Sequence, residues 1–221
     1  MKLKKSFGFA AVAALSVAAL AACAPSSSTS SSDDSTNTLK VGIMTQTDAT
    51  EQLWDKVSEN AAKEGITLEF VEFTDYSQPN KALANGEIDV NAFQHYNFLN
   101  NWNTENNGDL VAAADTLISP LRIFSGLDGD KAKYTDISEL PDGAVVSVPN
   151  DVTNESRALY LLQAAGLIKL DVSGEELATI TNIVENPKNL DIKELDASQT
   201  AATRTSVDAA IINNNYAVDA G

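Results

Sequence analysis

From Leu39 onward, short apolar segments rich in β-branched residues alternate with segments that carry apolar residues at helical spacing. Segment 39–44 (LKVGIM) predicts a first strand, 48–65 predicts a helix that ends at Gly65, and 66–73 (ITLEFVEF) predicts a second strand. A helix between two strands is the usual crossover that makes those strands parallel. The order of elements therefore predicts an α/β fold built on parallel sheets.

The rest of the chain continues this alternation. Further strands are predicted at 88–93, 109–118, 119–126, 143–150, 191–196 and 207–214, and further helices within 74–87 and at 95–107, 136–140, 154–166 and 198–206. Two α/β lobes, each with its own sheet, fit this order better than one long sheet. We place the first lobe at 39–125, the second at 126–211, and a return to the first lobe at 212–221. The crossovers are expected near 125–127 and 212–214.

The N-terminus has the features of a bacterial lipoprotein signal. Three lysines within the first five residues precede an apolar run, which is shorter than the ~20 residues that a membrane-spanning helix needs. The run ends in LAAC at 20–23, which resembles a lipobox, the motif whose cysteine becomes the first mature residue and carries the lipid, palmitate included. We therefore predict a signal peptide over 1–22 and a lipidated Cys23 that holds the protein on the extracytoplasmic face of the cell membrane. An ordinary signal peptide with an incidental cysteine is the alternative.

Composition narrows the possible partners. Segment 23–38 is rich in serine and has no apolar periodicity, so it is predicted to be a flexible linker. Cys23 is the only cysteine, which leaves no intramolecular disulfide and no cysteine-based metal site. The formal net charge of −16 disfavours nucleic acid as a partner and also disfavours charge-driven binding to anionic lipid.

The common catalytic and cofactor-binding motifs are missing from the sequence. It contains no GxGxxG, P-loop, HExxH or GxSxG. His95 is the only histidine, so a histidine-based metal site would need carboxylates for its other ligands. No serine stands in a nucleophile-elbow context, and the acidic residues are scattered over predicted helix faces. We therefore expect no catalytic residues, no metal and no cofactor, and we predict that the protein is not an enzyme.

The segment VPNDVTNESRAL (148–159) raises the question of why an arginine follows a predicted helix start. Asn154 is a good N-cap, and Arg157 would then fall in the first turn, where the helix dipole favours anions over cations. The residues alone leave two interpretations open. Arg157 is either a solvated cation paired with Glu155 or Asp151, or it holds an anion together with the N–H groups of the helix start.

Aromatic and amide side chains cluster in DVNAFQHYNFLNNW (89–102). Gln94, His95 and Tyr96 follow a predicted strand at its carboxyl end, where open α/β sheets bind their ligands. Rings beside neutral hydrogen-bonding groups suit a small ligand with an apolar side chain, and a thioether is one candidate because sulfur packs favourably on rings. Similar polar clusters follow other predicted strands, at 74–80, 150–157 and 213–216.

Several long segments resemble one known family. FTDYSQPNKALANGEIDVNAFQH, VPNDVTNESRAL, AGLIKL, ENPKNLDIKELDA and VDAAIINNNYA are similar to the NlpA-type lipoproteins, the substrate-binding subunits of methionine-uptake ABC transporters. The resemblance runs from about Leu39 to Gly221 and includes the lipobox. It implies a two-lobed periplasmic-binding-protein fold of type II, with a hinge and a ligand cleft between the lobes. It also implies binding of free methionine, as the L- or the D-enantiomer, and its delivery to a membrane permease driven by an ATPase.

The family's ligand-binding positions can be carried over to matching residues of this chain. They fall on Tyr76, Phe93, His95, Phe98, Asn154, Arg157 and Asn213. By this resemblance, Arg157 and the helix start at Asn154 hold the substrate carboxylate, and asparagine oxygens such as that of Asn213 meet the ammonium. The three rings then enclose the apolar side chain, with His95 as a polar contact.

The chain departs from the family pattern at three places. Phe98 stands where the family often has tyrosine, and Asn214 stands where glycine is common. Family members continue well past Gly221, so we expect either a fragment or a first lobe that is truncated at its C-terminus. Two alternatives to methionine transport remain: a binding protein for another small amino acid or a short peptide, and a surface lipoprotein with no role in transport.

Overall fold

The computed structural model of the protein describes residues 37–218, which belong to the unit Thr36–Gly221. The predicted signal peptide at 1–22, the lipidation site Cys23 and most of the predicted linker lie outside the described residues. Among the helices that are described, none combines the length and the hydropathy needed to cross a bilayer.

Strands and helices alternate along most of the described chain. The strands are β1 Thr38–Met44, β2 Thr67–Phe73, β3 Val90–Asn91, β4 Leu121–Ser125, β5 Leu127–Asp128, β6 Lys131–Ala132, β7 Val145–Pro149, β8 Lys169–Leu170, β9 Ile183–Glu185, β10 Asp191–Leu195 and β11 Ala209–Asn213. The α-helices are α1 Asp48–Lys63, α2 Pro79–Ala84, α3 Tyr96–Asn106, α4 Val152–Ala164, α5 Ala197–Thr200 and α6 Asn214–Ala217, and short 3-10 turns lie at Ile137–Glu139, Ile180–Asn182 and Ala202–Thr205.

The two largest sheets have different strand arrangements. The first has the order β2-β1-β3 with all strands parallel. The second has the order β10-β7-β11-β4, in which β4 runs antiparallel to β11 and the other pairs are parallel. The predicted α/β fold is confirmed, but the second sheet is mixed. The chain enters this sheet along β4 and leaves it along β11, so these two adjacent strands run in opposite directions. An antiparallel edge strand on a parallel sheet is common.

A buried apolar core fixes the position of α4 against the second sheet. Leu159 and Leu162 of α4 are fully buried, as are Val146 and Val148 of β7 and Ile211 of β11. Burying a leucine side chain stabilises a fold by roughly 1.5–3 kcal/mol. The helix is therefore a rigid platform for the polar residues in its first two turns.

Two predicted elements are wrong. The predicted strand at 109–118 has no regular structure, and its side chains are exposed, with Val111 at 84% and Ile118 at 98%. A strand needs a hydrogen-bonded neighbour, and none of the described strands pairs with this segment. The predicted helix at 198–206 is split into α5 and a 3-10 turn.

The lobe boundaries at 125 and 211 remain a prediction. β4 ends at Ser125 and pairs within the second sheet, as does β11, which contains residue 211.

Candidate functional site

The polar part of the candidate site begins where β7 passes into α4. Asp151 is the N-cap of α4, and its Oδ1 accepts from the backbone N–H of Asn154 at 3.0 Å. The prediction of Asn154 as the N-cap is therefore wrong, and Arg157 lies in the second turn rather than the first. Asp and Asn are about equally good N-caps, so the sequence alone did not distinguish the two positions.

Asn154 is buried at the centre of the site and joins side chains from three parts of the chain. Its Oδ1 accepts from Arg157 Nη1 at 2.8 Å and from Asn213 Nδ2 at 3.0 Å, and it lies 3.3 Å from His95 Nε2. His95 precedes α3, and Asn213 ends β11. One amide oxygen therefore brings together four of the seven predicted site residues.

His95 has a defined proton arrangement. It is the N-cap of α3, and its Nδ1 accepts from the backbone N–H of Phe98 at 3.1 Å. The neutral ring then carries its proton on Nε2, and this N–H donates a hydrogen bond to Asn154 Oδ1. Burial lowers the pKa of His95, and the nearby Arg157 cation lowers it further. The geometry therefore favours the neutral imidazole.

Arg157 has spare hydrogen-bonding capacity. Its guanidinium donates to Asn154 Oδ1 and to the Ser119 carbonyl oxygen at 3.2 Å, both of which are neutral acceptors. A guanidinium has five N–H donors, and Arg157 forms no ion pair with any carboxylate of residues 37–218. Burial lowers its pKa, because the cation has lost part of its hydration. This half-buried cation can accept an anionic partner.

Asn213 carries the complementary feature. Its side chain is only 7% exposed, and its Oδ1 is buried without a hydrogen-bond partner among the residues that the structure describes. An unsatisfied buried acceptor costs about 1–3 kcal/mol. A ligand that donates a hydrogen bond to this oxygen would remove that cost.

Aromatic rings form the apolar part of the site. Tyr76 lies 5.9 Å from Phe93, 6.0 Å from Phe98 and 5.3 Å from Tyr216 between ring centroids. Phe98 also packs edge-on against Phe93 at 5.6 Å and against His95 at 6.2 Å. The Tyr76 hydroxyl donates to Asn215 Oδ1 at 2.5 Å, and burial raises the pKa of Tyr76, so this phenol stays protonated.

A network of side-chain amides holds the segment that carries Phe93 and His95. Asn80 is fully buried, and its Oδ1 accepts from Asn91 Nδ2 at 2.9 Å and from Gln94 Nε2 at 2.7 Å. Asn80 Nδ2 in turn donates to Gln94 Oε1 at 2.8 Å. A satisfied buried network of this kind restricts the backbone on both sides of Phe93.

A cleft of about 390 Å³ opens beside the rings of Tyr76 and Phe98. Tyr76, Phe98 and Asp151 line it, together with Trp102 and Asp196. Its size is in the range of small-molecule sites. Within residues 37–218, no group of three or more His, Cys, Asp or Glu side chains is arranged to hold a metal ion.

Comparison with known protein families gives a match over residues 39–221 to the model of the NlpA lipoproteins. The chain belongs to the NlpA lipoprotein family. The resemblance expected from the sequence motifs is therefore confirmed, and it extends through every segment that forms the candidate site.

Individual NlpA relatives include well-matched curated proteins and solved structures. The D-methionine-binding lipoprotein MetQ of Escherichia coli strain K12 is 39% identical over 220 residues, which cover 98% of this chain and 77% of that protein. The substrate-binding protein of a methionine transporter from Streptococcus pneumoniae is 63% identical with a TM-score of 0.81, covering 83% of this chain and 71% of that one. A nutrient-binding protein from Burkholderia cenocepacia, solved bound to methionine, is 42% identical with a TM-score of 0.75, covering 82% of this chain and 74% of that one. The expected substrate-binding-protein fold is thus confirmed for this NlpA member.

Three residues of the site lie outside the seven ligand-binding positions predicted from the sequence. Asp151 caps α4 and contacts Asn154, Asn215 accepts from Tyr76, and Tyr216 packs on Tyr76 while donating to the Thr74 carbonyl oxygen at 3.1 Å. The signal for Asn215 and Tyr216 was present in NNNYA, which follows β11 directly, as ligand-binding residues of α/β sheets often do.

Proposed function

We propose that this protein is the lipid-anchored substrate-binding subunit of an ABC importer, that it binds free methionine, and that it delivers methionine to a membrane permease. The proposal rests on two side chains that contact the same amide and that each have unused hydrogen-bonding capacity. Among residues 37–218, Arg157 has no carboxylate partner and Asn213 Oδ1 has no donor, and Asn154 Oδ1 contacts the side chains of both. A free amino acid supplies the carboxylate and the ammonium that these groups need.

The substrate carboxylate is assigned to Arg157. A guanidinium can bind a carboxylate with two parallel hydrogen bonds, and such charge-assisted bonds are about twice as strong as neutral ones. Asp151 already accepts from the backbone N–H of Asn154 in the first turn of α4. The arginine therefore takes over the role that the sequence resemblance divided between Arg157 and the helix start.

The substrate ammonium is assigned to Asn213 Oδ1. An ammonium only donates hydrogen bonds, and an amide oxygen accepts them while remaining neutral. This acceptor therefore adds no second charge to the site. His95, as the neutral ring, adds no repulsion toward the ammonium. Asn154 lies between the two assigned side chains, and its Oδ1 accepts from Arg157 Nη1 at 2.8 Å and from Asn213 Nδ2 at 3.0 Å.

The substrate side chain is assigned to the rings of Tyr76, Phe93 and Phe98. A thioether gains about 0.3–1.5 kcal/mol from contact with an aromatic ring. The relatives from Streptococcus pneumoniae and Burkholderia cenocepacia are, by their names, a methionine-transport protein and a protein bound to methionine. The same ligand fits the ring cluster of this chain, and no chemical step is assigned to the protein.

Delivery and anchoring complete the proposal. Lipid on Cys23 holds the protein at the extracytoplasmic face of the cell membrane, and a permease with its ATPase receives the methionine. Two lobes, 39–125 and 126–211 with a return at 212–221, close on the ligand by a hinge motion around the crossovers. Replacing Cys23 with alanine should release the protein from the membrane fraction and abolish palmitate incorporation.

A ligand panel separates this proposal from its alternatives. The melting temperature of the full chain in mild detergent is measured with L-methionine, D-methionine, other free amino acids and short peptides. At ~100 times its dissociation constant, a ligand stabilises the fold by roughly 2.7 kcal/mol. A rise with methionine supports the proposal, and a rise with another amino acid or peptide alone replaces the ligand. A cooperative melt that no ligand shifts favours a surface lipoprotein with no transport role.

A further inference from the structure

Asp151 makes more contacts with Asn154 than a helix cap requires. Its Oδ1 accepts from the backbone N–H of Asn154, as N-caps do, and also from Thr153 Oγ1 at 3.0 Å. In addition, the side-chain Nδ2 of Asn154 donates to both carboxylate oxygens, at 3.1 Å to Oδ1 and 2.9 Å to Oδ2. The carboxylate therefore binds the amide end of Asn154 as well as its backbone.

These contacts, together with the donors of Arg157 and His95, determine which way the Asn154 amide points. An ionised carboxylate only accepts hydrogen bonds, so the Nδ2 of Asn154 must face Asp151 and its Oδ1 must face away. The Oδ1 then meets donors from Arg157 and Asn213. In the reversed orientation, the Asn154 oxygen would face the carboxylate, and its Nδ2 would face the Arg157 guanidinium.

The orientation of Asn154 then determines that of Asn213. Because Asn154 presents an oxygen, Asn213 must present its Nδ2, which donates at 3.0 Å. Its own Oδ1 is thereby turned away from Asn154 and left without a partner among residues 37–218. The negative charge on Asp151 thus acts through Asn154 on Asn213, whose Oδ1 remains a buried acceptor without a partner among the described residues.

We infer that Asp151 is a positioning residue that sets which atoms of Asn154 and Asn213 face the ligand, and thereby makes the site selective for ligands that carry an α-ammonium. The inference rests on the proposed function, because it concerns how the same site recognises the same ligand. The effect passes from the Asp151 carboxylate to Asn154 and then to Asn213.

The substitution Asp151→Asn tests this relay while keeping the helix cap. Asparagine caps helices about as well as aspartate. Its Nδ2, however, replaces one of the two carboxylate oxygens that hold Asn154 Nδ2, so the present orientation of Asn154, and with it that of Asn213, loses part of its preference, although Arg157 and His95 still donate to Asn154 Oδ1. Asp196→Asn is the matched control, because Asp196 is also an N-cap, lines the same cleft, and accepts from Ser198 N at 2.9 Å rather than from Asn154.

The experiment compares methionine with its desamino analogue, which keeps the carboxylate and the thioether but lacks the ammonium. Dissociation constants of both ligands are measured for the full chain in mild detergent. Asp151→Asn should weaken methionine by about tenfold or more, and it should change the desamino analogue by less than about threefold. Asp196→Asn should leave the ratio of the two affinities unchanged. In an Asn213→Ala background, Asp151→Asn should have no further effect on that ratio.

Four results would overturn the inference. Equal losses for both ligands in Asp151→Asn mean a purely structural role. If the ratio of the two affinities changes equally in Asp151→Asn and Asp196→Asn, the cause is long-range attraction between charges. The same holds if the change in Asp151→Asn persists in the Asn213→Ala background. A wild-type protein that binds neither ligand overturns the proposed function and this inference with it, whereas wild-type binding of methionine with an Asp151→Asn variant that keeps the wild-type ratio of the two affinities overturns the inference alone.

Discussion

Asn213 donates its side-chain amide to Asn154 Oδ1 at 3.0 Å, and in doing so it leaves its own Oδ1 buried without a partner among residues 37–218. Natural proteins rarely leave a buried acceptor unsatisfied, and those that do often use it for binding. In the proposed complex, the ligand ammonium donates to this oxygen. The free-energy cost of leaving the oxygen unpaired is therefore present only in the unliganded protein.

Replacing Asn213 with alanine should separate binding from stability. The variant loses the acceptor for the ammonium, so methionine binding should weaken by roughly 1.5–3 kcal/mol. The free energy of unfolding should change by less than about 1 kcal/mol, because the variant loses one hydrogen bond but also an unsatisfied oxygen. Titration calorimetry and denaturant unfolding measure the two quantities. Asn100→Ala, at an exposed position of α3, is the control and should change neither. Equal losses of binding and stability would contradict the assignment.

Replacing Arg157 with alanine should weaken methionine binding by about 2–4 kcal/mol, because the carboxylate loses its charged partner. Binding of the decarboxylated analogue, an amine, should change little. Arg122→Ala serves as the control, because Arg122 is exposed and donates to Asn214 Oδ1 at 3.1 Å. Near-native methionine affinity in Arg157→Ala would refute the carboxylate assignment.

The ring cluster should discriminate between sulfur and carbon. Norleucine has a methylene where methionine has its sulfur, so the difference in their affinities reports the contact between sulfur and rings. Phe98→Leu should reduce that difference by about 0.3–1.5 kcal/mol. Phe70→Leu is the control, since Phe70 packs on Trp54 at 5.3 Å outside the site. A Phe98→Leu variant that weakens both ligands equally would show that the ring supplies volume alone.

Stability should fall as the pH drops below the ordinary pKa of histidine, 6.5. Burial lowers the pKa of His95 in the folded state, so between the two pKa values the unfolded chain binds more protons than the folded one. The free energy of unfolding therefore rises with pH through that window and gains nothing from His95 above it. His95→Asn keeps a helix cap but does not titrate, so the variant should lack this loss, and the difference between wild-type and variant stability should change as the pH falls below 6.5. A constant difference down to pH ~5 would contradict the lowered pKa.

Local signals in the sequence were sufficient for most helices and strands. Gly65 marks the end of α1 in the structure at φ 74°, a left-handed conformation that glycine adopts at little cost. The predicted strand around Val111 failed because a strand depends on a partner that local pattern does not reveal. The assignment of β4 as antiparallel likewise depends on which distant strand it meets.

The candidate site was likewise only partly predictable from the sequence. Resemblance to a family indicated Arg157 and Asn213, and the structure joins both to Asn154. The unpaired Asn213 oxygen could not be predicted, because it depends on an amide 59 residues away and on which end of that amide faces Asn213. Nothing in a linear pattern specifies which end of an asparagine faces its neighbour.

A crystal structure of the chain with methionine bound tests the central claim most directly. The account predicts the methionine carboxylate within hydrogen-bonding distance of the Arg157 guanidinium, the ammonium on Asn213 Oδ1, and the sulfur among the rings of Tyr76, Phe93 and Phe98. Methionine bound in the reverse orientation, or bound elsewhere with the Asn213 oxygen still unpaired, would contradict it.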